Sequence, residues 1–159
     1  MNQQLRFIRH WIIFFMIILA SSGITAMPAE TELGFLLSCL PVHGSLREWL
    51  EKVYTGILDT NNRYPFLAYG YDWLAFAHIV LAVLFIGPLR DPVKNKWVIE
   101  FGMIACLLII PFALIAGQFR NIPMGWRLID CSFGLMGIVP LKICLNKINY
   151  LETIKTNSL

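Results

Sequence analysis

The sequence predicts an all-α polytopic membrane protein, a four-transmembrane-helix bundle with an extracytoplasmic amphipathic helix between helices 1 and 2. Four apolar stretches of 17 to 21 residues occupy about half of the 159-residue chain, and a hydrocarbon core about 30 Å thick takes about 20 helical residues to cross. The composition agrees: 57% hydrophobic and 14% charged, against about 25% charged in soluble proteins. No remaining segment is long enough to fold alone, so residues 1–159 are expected to form a single membrane domain.

The first segment, residues 11–27, follows Arg6 and Arg9 and runs from Trp11 to Met27. A basic start, an apolar core and small residues at Ser21, Ser22, Gly23 and Ala26 also describe a secretory signal peptide. Ile24 is bulky for the position three before a cut following Ala26, which favours a retained helix.

Residues 28–70 form the one sizeable extramembrane stretch. Thr31 to Leu40 can add a helical turn or two before Pro41 and Gly44 stop it. Ser45 and Glu48 then have the spacing of a capping box. Over residues 46–58, Leu46, Trp49, Leu50, Val53, Tyr54, Ile57 and Leu58 recur at helical spacing, opposite Arg47, Glu48, Glu51, Lys52 and Asp59. The mixed signs of that polar face favour docking on the bundle over a purely lipid-bound surface helix. Asn61, Asn62 and Pro65 mark the turn back to the membrane.

Helix 2 is expected over 71–89, stopped by Gly87-Pro88 and Asp91-Pro92, and helix 3 over 97–117. The short links 89–96 and 118–125 make helices 2 and 3, and helices 3 and 4, antiparallel neighbours. Helix 4 spans 126–145 and leaves residues 146–159 as a cytoplasmic tail. Tyr64, Tyr69, Tyr71, Trp73, Trp97 and Trp126 fall near the boundaries, as interfacial aromatics do. Gly102, Ala105, Cys106, Ala113, Ala116 and Gly117 line one side of helix 3, and Gly134 and Gly137 share a side of helix 4 with Asp130. Such faces let helix backbones approach in lipid. Pro111 and Pro140 interrupt helices 3 and 4.

Charge distribution orients the chain. With the N-terminus inside, eight basic residues face the cytoplasm (Arg6, Arg9, Arg90, Lys94, Lys96, Lys142, Lys147, Lys155) against five outside (Arg47, Lys52, Arg63, Arg120, Arg127). Both termini are therefore expected to be cytoplasmic, in a bacterial inner (plasma) membrane. Cysteines 39, 106, 131 and 144 show no CxxC or zinc-type spacing, so no cofactor or metal is expected. A Cys39–Cys131 bridge is open in an oxidising compartment, although four separate buried thiols are the simpler reading. The net charge of +3 includes no basic run of the nucleic-acid kind.

Ionisable groups within apolar helices mark candidate sites. Asp72 opens helix 2, His78 lies about 9 Å deeper, and Arg127 and Asp130 begin helix 4, with Gln118 and Arg120 in the adjoining loop. His78 shares a face with Ala75 and Ala82. If that face meets the Asp130 face, histidine and aspartate can act as an acid/base pair. Each also has a plainer role: Asp72 as a helix cap, Arg127 and Asp130 as a self-neutralising pair, His78 as a hydrogen-bonded packing residue. Glu100 reads as a surface contact, and His10 and His43 have no neighbours at ligand spacing.

Three functions stay open. The first is a binding or accessory subunit with an outward-facing polar pocket (Asp72, His78, Arg120, Arg127, Asp130), roofed by the 46–58 helix and taking a small amphiphile or a partner membrane protein. The second is an enzyme acting on a lipid or isoprenoid, with His78 and Asp130 as acid and base and Arg127 on an anionic head group. The third is a proton or small-ion path in an oligomer. Expected partners are membrane lipids and either another membrane protein or a second copy, with no nucleic acid.

Overall fold

The computed structural model describes residues 2–40 and 44–157. Pro41, read as a helix stop, and His43, read as having no role, lie outside the described residues. Every described element is helical: α1 (Asn2–Ala26), α2 (Ala29–Cys39), α3 (Ser45–Arg63), a single 3-10 turn (Pro65–Leu67), α4 (Tyr69–Leu84), α5 (Ile86–Arg90), α6 (Lys96–Phe119) and α7 (Met124–Asn157). Four runs are long and apolar enough to cross a membrane, at Gln3–Ala26, Pro65–Arg90, Lys96–Phe119 and Met124–Ile154. Among the described residues the fold is all-helical, with four helices of the length and composition of a multi-pass membrane protein.

Several boundaries differ from the sequence expectation, each for a local reason. Helix α1 starts nine residues earlier, because nothing between Asn2 and Trp11 breaks it and the His10 Nδ1 takes up the Arg6 carbonyl (2.7 Å). The Ser45 capping box is not formed: Gly44 occupies the cap at φ +148°, a conformation glycine adopts freely, and Ser45 becomes the first helical residue. Asn61 and Asn62 belong to α3 rather than to the turn. The membrane run after Pro65 is broken at Phe85, because Pro88 has no N–H to give the Leu84 carbonyl, yet Gly87 and Pro88 sit inside α5 rather than ending the run. Helix α7 continues through most of the expected tail, reaching Asn157 over 34 residues, about 51 Å of helix.

The chain divides into two compact units, Met1–Ile17 with Val83–Leu159, and Ile18–Ala82. In the first, α6 and α7 form an antiparallel hairpin whose seam is made of small residues. A Cβ added at Gly134 would lie 2.5 Å from the Cys106 carbonyl oxygen, and one at Gly137 would lie 2.7 Å from the Cys106 Sγ. The two backbones are thus as close as they can be, the arrangement that favours helix association in lipid. The first half of α1 completes this unit. Ile8 and Ile12 are fully buried, the Cys144 thiol donates to the Ile8 carbonyl (3.7 Å), and Phe15 packs on Phe85 with ring centroids 4.8 Å apart. The Arg9 guanidinium donates to the carbonyls of Leu89 and Arg90 (3.1 and 3.2 Å), and the Asn95 amide to those of Gly87 and Asp91 (3.1 and 3.0 Å). Arg9 thereby satisfies carbonyls that the end of α5 leaves open, while Asn95 adds second bonds to carbonyls that already accept a backbone N–H.

In the second unit α2 and α3 form a hairpin with Leu37 and Leu50 buried. Arg47, placed on the polar face by the sequence, is half-buried and closes the end of α2: its Nη1 donates to the carbonyls of Leu37 and Leu40 (2.9 and 3.2 Å), while its Nε pairs with Glu51 (2.8 Å). Asn61 links three elements. Its amide donates to Glu30 (2.9 Å) and its oxygen accepts from the Tyr71 hydroxyl (3.2 Å). The end of α1 meets α4 at Gly23, where a Cβ would lie 2.7 Å from the Ala75 carbonyl oxygen. All four cysteines are free, so the Cys39–Cys131 bridge is not formed.

Candidate functional site

Arg127 is the most constrained of the five candidate residues. The link between α6 and α7 is a Schellman ending: Ile122 N–H donates to the Gly117 carbonyl (2.9 Å), Asn121 N–H donates to the Gln118 carbonyl (3.2 Å), and Asn121 takes a left-handed φ of +55°. Pro123 then prevents the helix from resuming, and α7 starts at Met124. Into this turn folds the Arg127 side chain, only 8% exposed. Its Nε donates to the Ile122 carbonyl and its Nη1 to the Gln118 Oε1, both at 2.7 Å. Gly117 makes room for its stem, since a Cβ there would lie 2.8 Å from the Arg127 Cγ and Cδ. A fork-shaped cation is what allows two acceptors in different directions to be held at once.

Those commitments change the reading of Asp130. One turn beyond Arg127 and half-buried, its carboxylate has no ion pair or hydrogen bond among the described residues. The self-neutralising Arg127–Asp130 pair is therefore not made. Arg120, in the same link, is exposed and its side chain has no partner among the described residues.

Asp72 and His78 belong to the second unit. Asp72 is exposed in the first turn of α4, three residues past its first residue Tyr69 and so inside the helix rather than at its cap. His78 is half-buried, its Cβ lies against Gly23, and its Nδ1 meets the Leu74 carbonyl at 2.8 Å. A carbonyl can only accept, so Nδ1 carries the proton and Nε2 is the basic nitrogen. No group of three His, Cys, Asp or Glu residues among the described residues is arranged to hold a metal.

One site the sequence reading missed lies on α3 itself. A groove of about 390 Å³ runs along Trp49, Val53, Gly56 and Ile57, reaches Tyr71 at the start of α4, and carries Lys52 on its lining. The Lys52 Nζ stands 6.0 Å from the Trp49 ring centroid. The Trp49 indole N–H is buried without a hydrogen-bond partner, alone in this among buried side-chain polar atoms of the described residues. Helical spacing had marked these apolar residues as a docking face. A glycine within that face, at position 56, was the available sign that part of it is left unfilled.

Comparison of the chain with protein-family models, with curated proteins and with solved structures gives no match.

Proposed function

We propose that this chain is a non-enzymatic accessory subunit of the membrane that seats a partner transmembrane segment carrying a basic residue. One observation carries the reading. Asp130 sits in an apolar helix, half-buried and without a counter-charge among the described residues, while the nearest arginine along α7 is spent on Gln118 and Ile122. A carboxylate at membrane depth is costly, of the order of 3 kcal/mol on insertion scales, unless a partner compensates it. A lysine or arginine from a second membrane protein supplies that compensation. In this reading α1 is retained, both termini are cytoplasmic by the excess of basic residues there, and α2 and α3 lie on the opposite side.

The enzymatic alternative gains nothing from the partners of its two residues. His78 is held by its own helix, and among the described residues Asp130 has no donor that would orient it as an acid or base. Copurification from native membranes, wild type beside Asp130→Asn, tests the proposal. A stoichiometric membrane protein is expected with the wild type and is lost with the amide, which keeps the shape and removes the charge. Equal recovery of the partner by both, or no partner with either, refutes it.

A further inference from the structure

We propose that the groove along α3 is a binding site for a single-chain anionic amphiphile, a long acyl chain ending in a carboxylate. This site is separate from Asp130 and stands on different observations. The groove is apolar along Val53, Ile57 and the Trp49 ring, as an acyl chain requires. Its volume of about 390 Å³ falls at the small end of the roughly 300 to 1,000 Å³ of ligand sites, which suits one chain rather than a two-chain phospholipid. Gly56 keeps it open: a Cβ at that position would meet nothing within 4 Å.

Charge selects the head group. On α3, Glu51 is paired with Arg47 and Asp59 with Arg63, whereas Lys52 makes no ion pair among the described residues, including with Glu48 one turn earlier. The groove therefore offers a cation free of ion pairs among the described residues, set by the ring of Trp49, whose indole N–H is buried without a partner. A carboxylate has lone pairs for both, and hydrogen bonds to an ionised acceptor are the strong ones. A neutral ester or alcohol of equal length satisfies neither the charge nor the orphan donor as well.

The full chain in phosphatidylcholine nanodiscs, titrated with a dibrominated long-chain fatty acid while tryptophan fluorescence is followed, tests the assignment. Trp49→Phe supplies the background from the other tryptophans. Saturable quenching of Trp49 by the acid is expected, weaker by about tenfold or more for Lys52→Ala and retained by Lys52→Arg. Gly56→Leu is expected to abolish it while leaving the helical circular-dichroism spectrum intact, since the new side chain enters open space and glycine is the poorer helix former. Equal quenching by the acid and its methyl ester, a linear unsaturable response, or unchanged midpoints in Lys52→Ala and Gly56→Leu overturns the proposal. The Asp130→Asn copurification result does not bear on any of these readings.

Discussion

Adding one methyl group at Gly134 is expected to destabilise the protein even though alanine is the better helix former. The ideal Cβ would stand 2.5 Å from the Cys106 carbonyl oxygen and 3.3 Å from the Ile109 Cβ. An ordinary C···O contact is about 3.3 Å or more, so α6 and α7 must separate by roughly 0.8 Å at this level. A gap of that size forfeits about a quarter to a half of the dispersion well for each contact it opens. Overpacking of this kind costs about 1–3 kcal/mol, and the obstacle is backbone, which cannot rotate away. Helix propensity returns at most about 1 kcal/mol, leaving Gly134→Ala less stable by up to about 2 kcal/mol. Gly56→Ala is the matched control, because its Cβ meets nothing within 4 Å and only the propensity gain of up to about 1 kcal/mol remains. Titration from dodecyl maltoside into dodecyl sulfate micelles, followed by circular dichroism, reads both variants. Alkylation of the buried Cys106 should also speed up in Gly134→Ala as the seam loosens. A Gly134→Ala midpoint at or above wild type, beside the expected rise for Gly56→Ala, would show that the helices do not meet at this glycine.

Two further substitutions probe the polar clamps. Arg127→Ala removes two 2.7 Å bonds and leaves the Gln118 amide and Ile122 carbonyl unsatisfied, a loss of about 2–3 kcal/mol for bonds to a charged group. Arg127→Lys should restore only part of that, because an ammonium is not a fork, and amide exchange at residues 117–122 should rise in the same order. Asn61→Asp replaces the amide that donates to Glu30 at 2.9 Å with a second carboxylate. Two facing carboxylates repel when both are ionised, so destabilisation is greatest at neutral pH and is relieved as pH falls toward about 4, where they take up protons. Asn61→Ala loses the bonds to both Glu30 and Tyr71 but adds no charge and so no such pH dependence, and the contrast between the two denaturation profiles is the measurement.

Helix placement was legible because it depends on composition over long windows: three of the four apolar runs contain the whole stretch that announced them, and the first, Gln3–Ala26, contains all of it but Met27. The ends were not, because they hinge on single groups. Ser45 and Glu48 satisfy a local motif, yet Gly44 takes the cap and Arg47, ten residues from Leu37, satisfies the end of α2 instead. Asn61 reads as a turn residue in isolation, but Glu30 and Tyr71 occupy its side chain, so it no longer competes with the helix backbone.

Among the candidate residues, the sequence identified ionisable groups out of place in lipid but could not say which were already compensated. Arg127 and Asp130 look like a pair at three-residue spacing, and only the Schellman turn at Gly117 to Ile122 brings two other acceptors within reach of the arginine.

By itself the sequence determined a helical chain with four runs long and apolar enough to cross a membrane, because such runs must satisfy their backbone internally once water is absent. Only the tertiary structure decided which charges are spent and which are left over. Side-chain partners such as Arg127 with Gln118, or Arg9 with the end of α5, are chosen by where folded backbone leaves carbonyls open, and no spacing rule along the chain contains that information.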